Sequence, residues 1–320
     1  MELTRQAIEI EKWIGGARVQ TRVIAETATP GAGREEIRVL MEEAQVAIDS
    51  AEAQEGRIVV DGAVTCQAVY RQGDAAAARA VAAQTRVSEV IEMEGVTARS
   101  IVRARGAVEA VEAAYDNGRM RFEVLLSLTV QALELVPIQV ITEISGVEGL
   151  QTRFVEICSK KLSAQASEDA LLTQEVALPA QLDARVSLMD WSSAHVLSTE
   201  PDLGGVRVKG EVQAEALIGT GVEARPVALV KVMMPFDQLV EMPEWLTGDV
   251  TASARATQLS TSVVAGTEEE GAKLVLEAQV RVEAFAGGED CARALEDAYG
   301  LGEEAVAVET ESIDVCTGTV

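Results

Sequence analysis

Val90-Ile91-Glu92-Met93 and Leu239-Val240-Glu241-Met242 read almost alike and lie 239 − 90 = 149 residues apart. The same offset carries along the chain. Pro30, Ile37 and Val39 in "TPGAGREEIRVLM" meet Pro179, Val186 and Leu188 in "LPAQLDARVSLM". Gly62 in "GRIVVDGAVTCQAVY" meets Gly210 in "GVRVKGEVQAEALI" at an offset of 148, and "LSLTVQALE" (126–134) meets "LEAQVRVEA" (276–284) at 150. Correspondences in one order, drifting by a residue either way, mark a tandem duplication, and they restrict the fold to one that is built twice. Ile8, Ile157 and Val306 continue the period, so the end of the chain reads as the opening strand of a third repeat. The expected division is 1–149, 150–298 and a tail over 299–320.

Within each repeat the dominant signal is alternation. Val124, Leu126, Leu128, Val130 and Ala132 fall on one face of a strand, with Ser127, Thr129 and Gln131 on the other. Leu274, Leu276, Ala278, Val280 and Val282 repeat this against Lys273, Glu277, Gln279, Arg281 and Glu283. Period-2 patterns of this kind belong to half-buried strands of antiparallel sheets. Asn117-Gly118 in "YDNGR" is a hairpin signal, because both residues accept the positive φ of a type I′ turn. "AQEGR" (53–57) reads as a longer hairpin loop. Helix potential is confined to the alanine-rich stretches 74–84, 159–172 and 291–300. The fold expected is mainly β: two tandem antiparallel β-sandwich or irregular-barrel repeats with minor helices.

The formal charge of −25 sets aside nucleic acid, whose phosphates would repel the chain, and unaided docking on anionic lipid. The opening "MELTRQAIEIEKW" has no apolar signal-peptide core, and the most apolar stretch, 122–141, is broken by Glu123, Gln131, Glu134 and Pro137. Cytoplasmic synthesis without membrane insertion is expected. Cys66, Cys158, Cys291 and Cys316 are scattered and contain no CxxC, so they read as reduced fillers rather than zinc ligands or a disulfide framework.

No catalytic constellation emerges. The single histidine, His195, has Asp190 and Ser192 nearby, but "MDWSSAHVLS" alternates like a strand and lacks a nucleophile elbow. "PGAGRE" (30–35) and "GTGVEARP" (219–226) lack the Lys-Ser/Thr or the helix of a phosphate loop. "GTEEEG" (266–271) offers carboxylates to a hard cation without the ligand spacing of a calcium loop, and reads as a hairpin tip. Glu92 and Glu241 sit between apolar neighbours as the wet positions of short strands. Trp13, Trp191 and Trp245 share no repeat register. Trp245 follows the repeated landmark where the two copies diverge, and is the expected contact residue, together with Val306 and Val308 of the tail strand. No catalytic residue, cofactor or metal site is expected.

The succession "EEIRVLMEEAQV", "EGRIVVDGAVTCQAVY", "VSEVIEMEGV" and "AAYDNGRMRFEVLLSLTV" resembles the SPOCS domain of clostridial and bacillar spore-coat proteins. "EDAYG" (296–300), with Asp297 and Tyr299, resembles the Asp-Ala-Tyr phrase that often closes that domain, whereas the first copy has "VPIQVITEISG" instead. The resemblance implies a non-enzymatic scaffold akin to the SipL-like coat morphogenetic proteins, without their LysM module. It also implies protein partners among other spore-coat proteins and a place in the mother-cell cytoplasm and on the forespore or spore surface. The tail strand suggests homo-oligomerisation, by pairing with the open sheet edge of a second copy, or else a fold back onto its own second repeat. The alternative expectation is an acidic cytoplasmic binding module for a divalent cation or small ligand, suggested by the charge and the 266–271 loop.

Overall fold

The computed structural model describes residues 2–29, 36–73, 77–146, 149–222, 225–242, 249–266 and 271–300. Strands account for nearly all of them. The first six are β1 (Glu2–Ala28), β2 (Ile37–Gln54), β3 (Arg57–Gln72), β4 (Arg79–Glu92), β5 (Ile101–Asp116) and β6 (Arg119–Ser145). The next six are β7 (Leu150–Ala177), β8 (Ala184–Asp202), β9 (Gly205–Thr220), β10 (Val227–Glu241), β11 (Val250–Val264) and β12 (Lys273–Gly300).

These strands form four antiparallel three-stranded sheets, ordered β1-β6-β5, β2-β3-β4, β11-β12-β7 and β10-β9-β8. The fold is mainly β, as the alternation requires, and the sheets remain open rather than closing into a barrel. In the first half β2 lies over β5 and β1 over β4; in the second, β8 lies over β11 and β10 over β7. Each half is thus a pair of stacked sheets, and β7–β12 repeat the order and pairing of β1–β6 strand for strand.

The central strands carry the cores. Val124, Leu126, Leu128, Val130 and Ala132 of β6 are fully buried, as are Leu274, Leu276, Ala278, Val280 and Val282 of β12. They meet Val60, Val64, Cys66 and Tyr70 of β3 in the first half, and Val208, Val212, Ala214 and Ile218 of β9 in the second. Ser127, on the opposite face of β6, is buried as well, because Arg18 folds across it and donates from Nε to its Oγ at 2.7 Å.

Asn117 and Gly118 link β5 to β6 with φ of 49° and 86°, the expected turn. The β2–β3 connection is tighter than the loop expected from "AQEGR": only Glu55 and Gly56 intervene, with Gly56 at φ 72°. Gly62 and Gly210 have one physical cause. A Cβ on Gly62 would lie 2.4 Å from the Ala47 carbonyl oxygen, and one on Gly210 would lie 2.3 Å from that of His195. Each glycine faces a register shift in its neighbour, Ile48/Ser50 in β2 and Val196/Ser198 in β8. The bulge pushes a carbonyl into the space of a side chain, and only glycine admits it.

Residues 74–76 lie outside the described residues, and the rest of the three expected helices is almost entirely strand. Residues 79–84 open β4, 159–172 lie inside β7 and 291–300 end β12; the only helical turn among the described residues is Ala180–Leu182. The alanines responsible also obey period 2. Ala164, Ala166, Ala170 and Leu172 turn one face of β7 inward, and Ala292 and Ala294 are buried on β12. Continuous ladder pairing between β7 and β12 overrides the intrinsic helix preference of alanine.

The cysteine expectation is also corrected. Cys158 and Cys291, directly opposite in the β7–β12 ladder, are joined in a disulfide with Cα atoms 4.1 Å apart. Cys66 is free and buried, and burial pushes its thiol up to about 11.

The halves are tied by strand extensions. β5 accompanies β6 only as far as Leu133, and β11 accompanies β12 only as far as Ala286. Beyond those points β1–β6 and β7–β12 continue as two-stranded ribbons, which pack against each other through Ile8, Ile10, Val140, Ile157, Ala292 and Ala294. Ile8 and Ile157, equivalent in the 149-residue period, thereby share one cluster. Among the described residues no helix is long and apolar enough to cross a membrane.

Candidate functional site

The repeated Glu-Met phrases end β4 and β10. Ile91 and Met93, like Val240 and Met242, are buried, while Glu92 and Glu241 point to solvent. The Met93 N–H donates to the Gly56 carbonyl at 3.0 Å, and the Met242 N–H donates to that of Gly204 at 3.1 Å. Each phrase closes the end of a strand onto a glycine turn, so the repetition is architectural and the glutamates are its wet positions.

His195 is exposed on β8, with Ser193 Oγ 3.2 Å from its Nε2. Ser192 lines a cleft, and Asp190 is engaged elsewhere. Ser193 lines the same cleft, and its contact with His195 is exposed to solvent.

The joint between the halves is where polar chemistry converges. β8 is an edge strand, and the outward backbone groups of Asp190 meet the carboxamide of Gln67 on β3. Gln67 Nε2 donates to the Asp190 carbonyl at 3.0 Å and to Oδ1 at 3.3 Å, while the Asp190 N–H donates to Gln67 Oε1 at 3.2 Å. Thr261 Oγ1 donates to Asp190 Oδ2 at 2.8 Å. A side-chain amide thus takes the place of a further strand on this edge. Beside it Val69, Leu188 and Met189 form a small apolar cluster with Met41, Trp191 and Leu217 packed on it. Trp191 therefore lies at the contact between halves, while Trp13 stands 41 % exposed beside a register shift in β1. Replacing Gln67 with alanine would strand two part-buried backbone groups. The expected loss is about 1–2 kcal/mol of coupling between the halves, seen as a broader or split thermal unfolding transition.

Next to this joint a cleft of about 620 Å³ is lined by both halves, with Gln45, Asp49, Thr65, Arg255, Gln279 and Arg281 among its polar groups. Its cations are already committed. Arg255 Nη1 donates to the Ile48 carbonyl at 3.0 Å, and Arg281 holds Asp169 through two bonds of 3.0 and 3.1 Å. The hydrogen bond from Arg281 keeps the Asp169 carboxyl below the ordinary carboxylate range. This pair stabilises the fold above the carboxyl's unfolded pKa and is lost as pH falls through its folded value. At 39 % exposure of each side chain, solvent screening keeps that contribution small. The arginines tie strands together rather than present charge to a ligand.

Trp245, Val306 and Val308 lie outside the described residues, as do most of the 266–271 loop and residues 30–35. Asp297 and Tyr299 lie at the far end of the β7–β12 ribbon, opposite Arg153 and Gln151, and Tyr299 is 53 % exposed.

No curated protein and no solved structure matches the chain. A family model does. It runs from the start of β2 through nearly all of β5. Residues 37–115 match the model of the SipL, SPOCS domain family, and this stretch of the chain is similar to a SPOCS domain.

Proposed function

We propose that this protein is a non-enzymatic scaffold of the bacterial spore coat or envelope, built from two SPOCS-like units over 1–149 and 150–298, and working through protein contacts and self-assembly. The observation that carries the reading is the SPOCS match over residues 37–115. The strand-for-strand likeness of β7–β12 to β1–β6 extends it to the second half. Observing a fluorescent fusion in sporulating cells tests it: a ring around the forespore is expected, and diffuse mother-cell signal throughout sporulation would overturn it.

Self-assembly is supported by the state of the sheet edges. The edge strands β1, β2, β5, β7, β8 and β11 all carry register shifts, which re-aim an edge and discourage pairing. β10 runs without a shift but contains Pro235. β4 runs 14 residues with neither shift nor proline, and Val90 on it is 54 % exposed. The alternating Val306 and Val308 of the tail suit addition to such an edge on a second copy. Tail-to-edge contacts of this kind are head-to-tail and generate closed rings or open chains of subunits. Deleting 301–320, or substituting Val90→Lys, is therefore expected to shift the purified protein from oligomer to monomer by light scattering; an unchanged mass in both variants would refute the assembly mode.

A further inference from the structure

The outward face of the β7–β12 ribbon holds a cluster that the scaffold reading does not use. Cys158 and Cys291 face each other across the ladder, and Glu156 lies two residues before Cys158 on the same face of β7. One carboxylate oxygen of Glu156 and the two sulfurs lie within 4.8 Å of one another, and all three residues are exposed. The inward face of the same ribbon packs Ile157, Ala292 and Ala294 against β1 and β6, so the backbone under the cluster is held from below.

We propose that Cys158, Cys291 and Glu156 form a redox-gated binding site for a borderline-soft divalent cation of the zinc class. With the disulfide closed, both sulfurs are occupied and the site does not exist. A dithiol opens it: the Sγ–Sγ bond breaks, each sulfur gains an electron and a proton, and the dithiol is oxidised to its own disulfide. The metal then replaces the two thiol protons, which pass to solvent.

The geometry and the charge both suit this ion. Tetrahedral zinc takes thiolate sulfur at about 2.3 Å and carboxylate oxygen at about 2.0–2.2 Å, so its ligand atoms sit roughly 3.5–4 Å apart. A cluster already within 4.8 Å needs only side-chain rotation to close. Three protein ligands leave a fourth position for water. Two thiolates, one carboxylate and a divalent ion sum to −1, and Arg293, directly opposite Glu156 with its guanidinium 4.3 Å from the Phe154 ring centroid, supplies the balancing charge. Thiolate ligands select zinc over magnesium or calcium, which separates this site from weak binding to the many surface carboxylates.

Cobalt(II) is the probe, because sulfur-to-cobalt charge transfer absorbs in the near ultraviolet and carboxylates do not produce it. The full chain, reduced with a phosphine, is titrated beside the oxidised chain. The reduced protein is expected to develop the band, to saturate at about one equivalent, and to lose it when Zn2+ is added; the oxidised protein is expected to show none. Cys158→Ser with Cys291→Ser should abolish the band, and Glu156→Gln, which leaves the thiols and the fold in place, should weaken binding about ten-fold or more. Equal spectra for the reduced wild type and the double serine variant would overturn the site, and so would an unchanged affinity in Glu156→Gln. Circular dichroism checks that each variant is folded; should the double variant fail, Glu156→Gln and the oxidised chain still decide the question.

Discussion

Gly210→Ala is expected to lower the unfolding free energy by about 3 kcal/mol. The new Cβ would stand 2.3 Å from the His195 carbonyl oxygen and 2.3 Å from the Phe236 ring. The ring can rotate away, but the carbonyl belongs to the β8 backbone and moves only if the ladder to β9 moves with it. Gly62→Ala should cost a similar amount, since its obstacle is again a backbone oxygen, that of Ala47 at 2.4 Å. Gly118→Ala is the informative contrast. Its Cβ would meet nothing within 4 Å, so the substitution carries only the penalty of a left-handed backbone, about 1–2 kcal/mol. Urea unfolding followed by circular dichroism measures all three. Equal losses for Gly210→Ala and Gly118→Ala would show that the bulge carbonyls yield freely.

Phe122→Ala should be the most damaging core substitution in the first half, at about 3–5 kcal/mol. Phe122 is fully buried beside Tyr70 and Met120, in a core otherwise supplied mainly by Val, Ala and Leu. In a chain with 3 % aromatic residues, a single ring fills a volume that no neighbour can reclaim. Val64 and Val124 are stiff at χ1 and sit on paired backbone, so the cavity stays open. Phe122→Leu should recover most of the loss. The damage should appear in the transition of the first half, because this cluster draws only on β1–β6.

Much of the fold was legible because strands write their environment in alternate letters. The buried rows of β6 and β12, the Asn117-Gly118 turn and the outward Glu92 and Glu241 all follow from period 2 and turn chemistry. Alanine was the weak point. Ala164, Ala166, Ala292 and Ala294 suit a helix by propensity, and only their pairing with a distant strand decides otherwise. The disulfide was hidden for the same reason: Cys158 and Cys291 are 133 residues apart, and no spacing rule brings them together before the β7–β12 register is known. Gln67 and Asp190 carry no motif at all; their partnership exists because an edge strand of one half abuts a sheet of the other. Trp191, set aside for lacking repeat register, lies at that contact, where two nearly equivalent halves must differ in order to touch.

The long strands also have a mechanical meaning. β1, β6, β7 and β12 run 27 or 28 residues each, passing from a stacked sheet into the ribbon that joins the halves. A pull along these strands would load many ladder hydrogen bonds at once, in shear, instead of peeling them one after another. Tension entering one half would reach the other across the cluster of Ile8, Ile10, Val140, Ile157, Ala292 and Ala294, where the two ribbons pack. The joint would then behave as a stiff splice between the two halves.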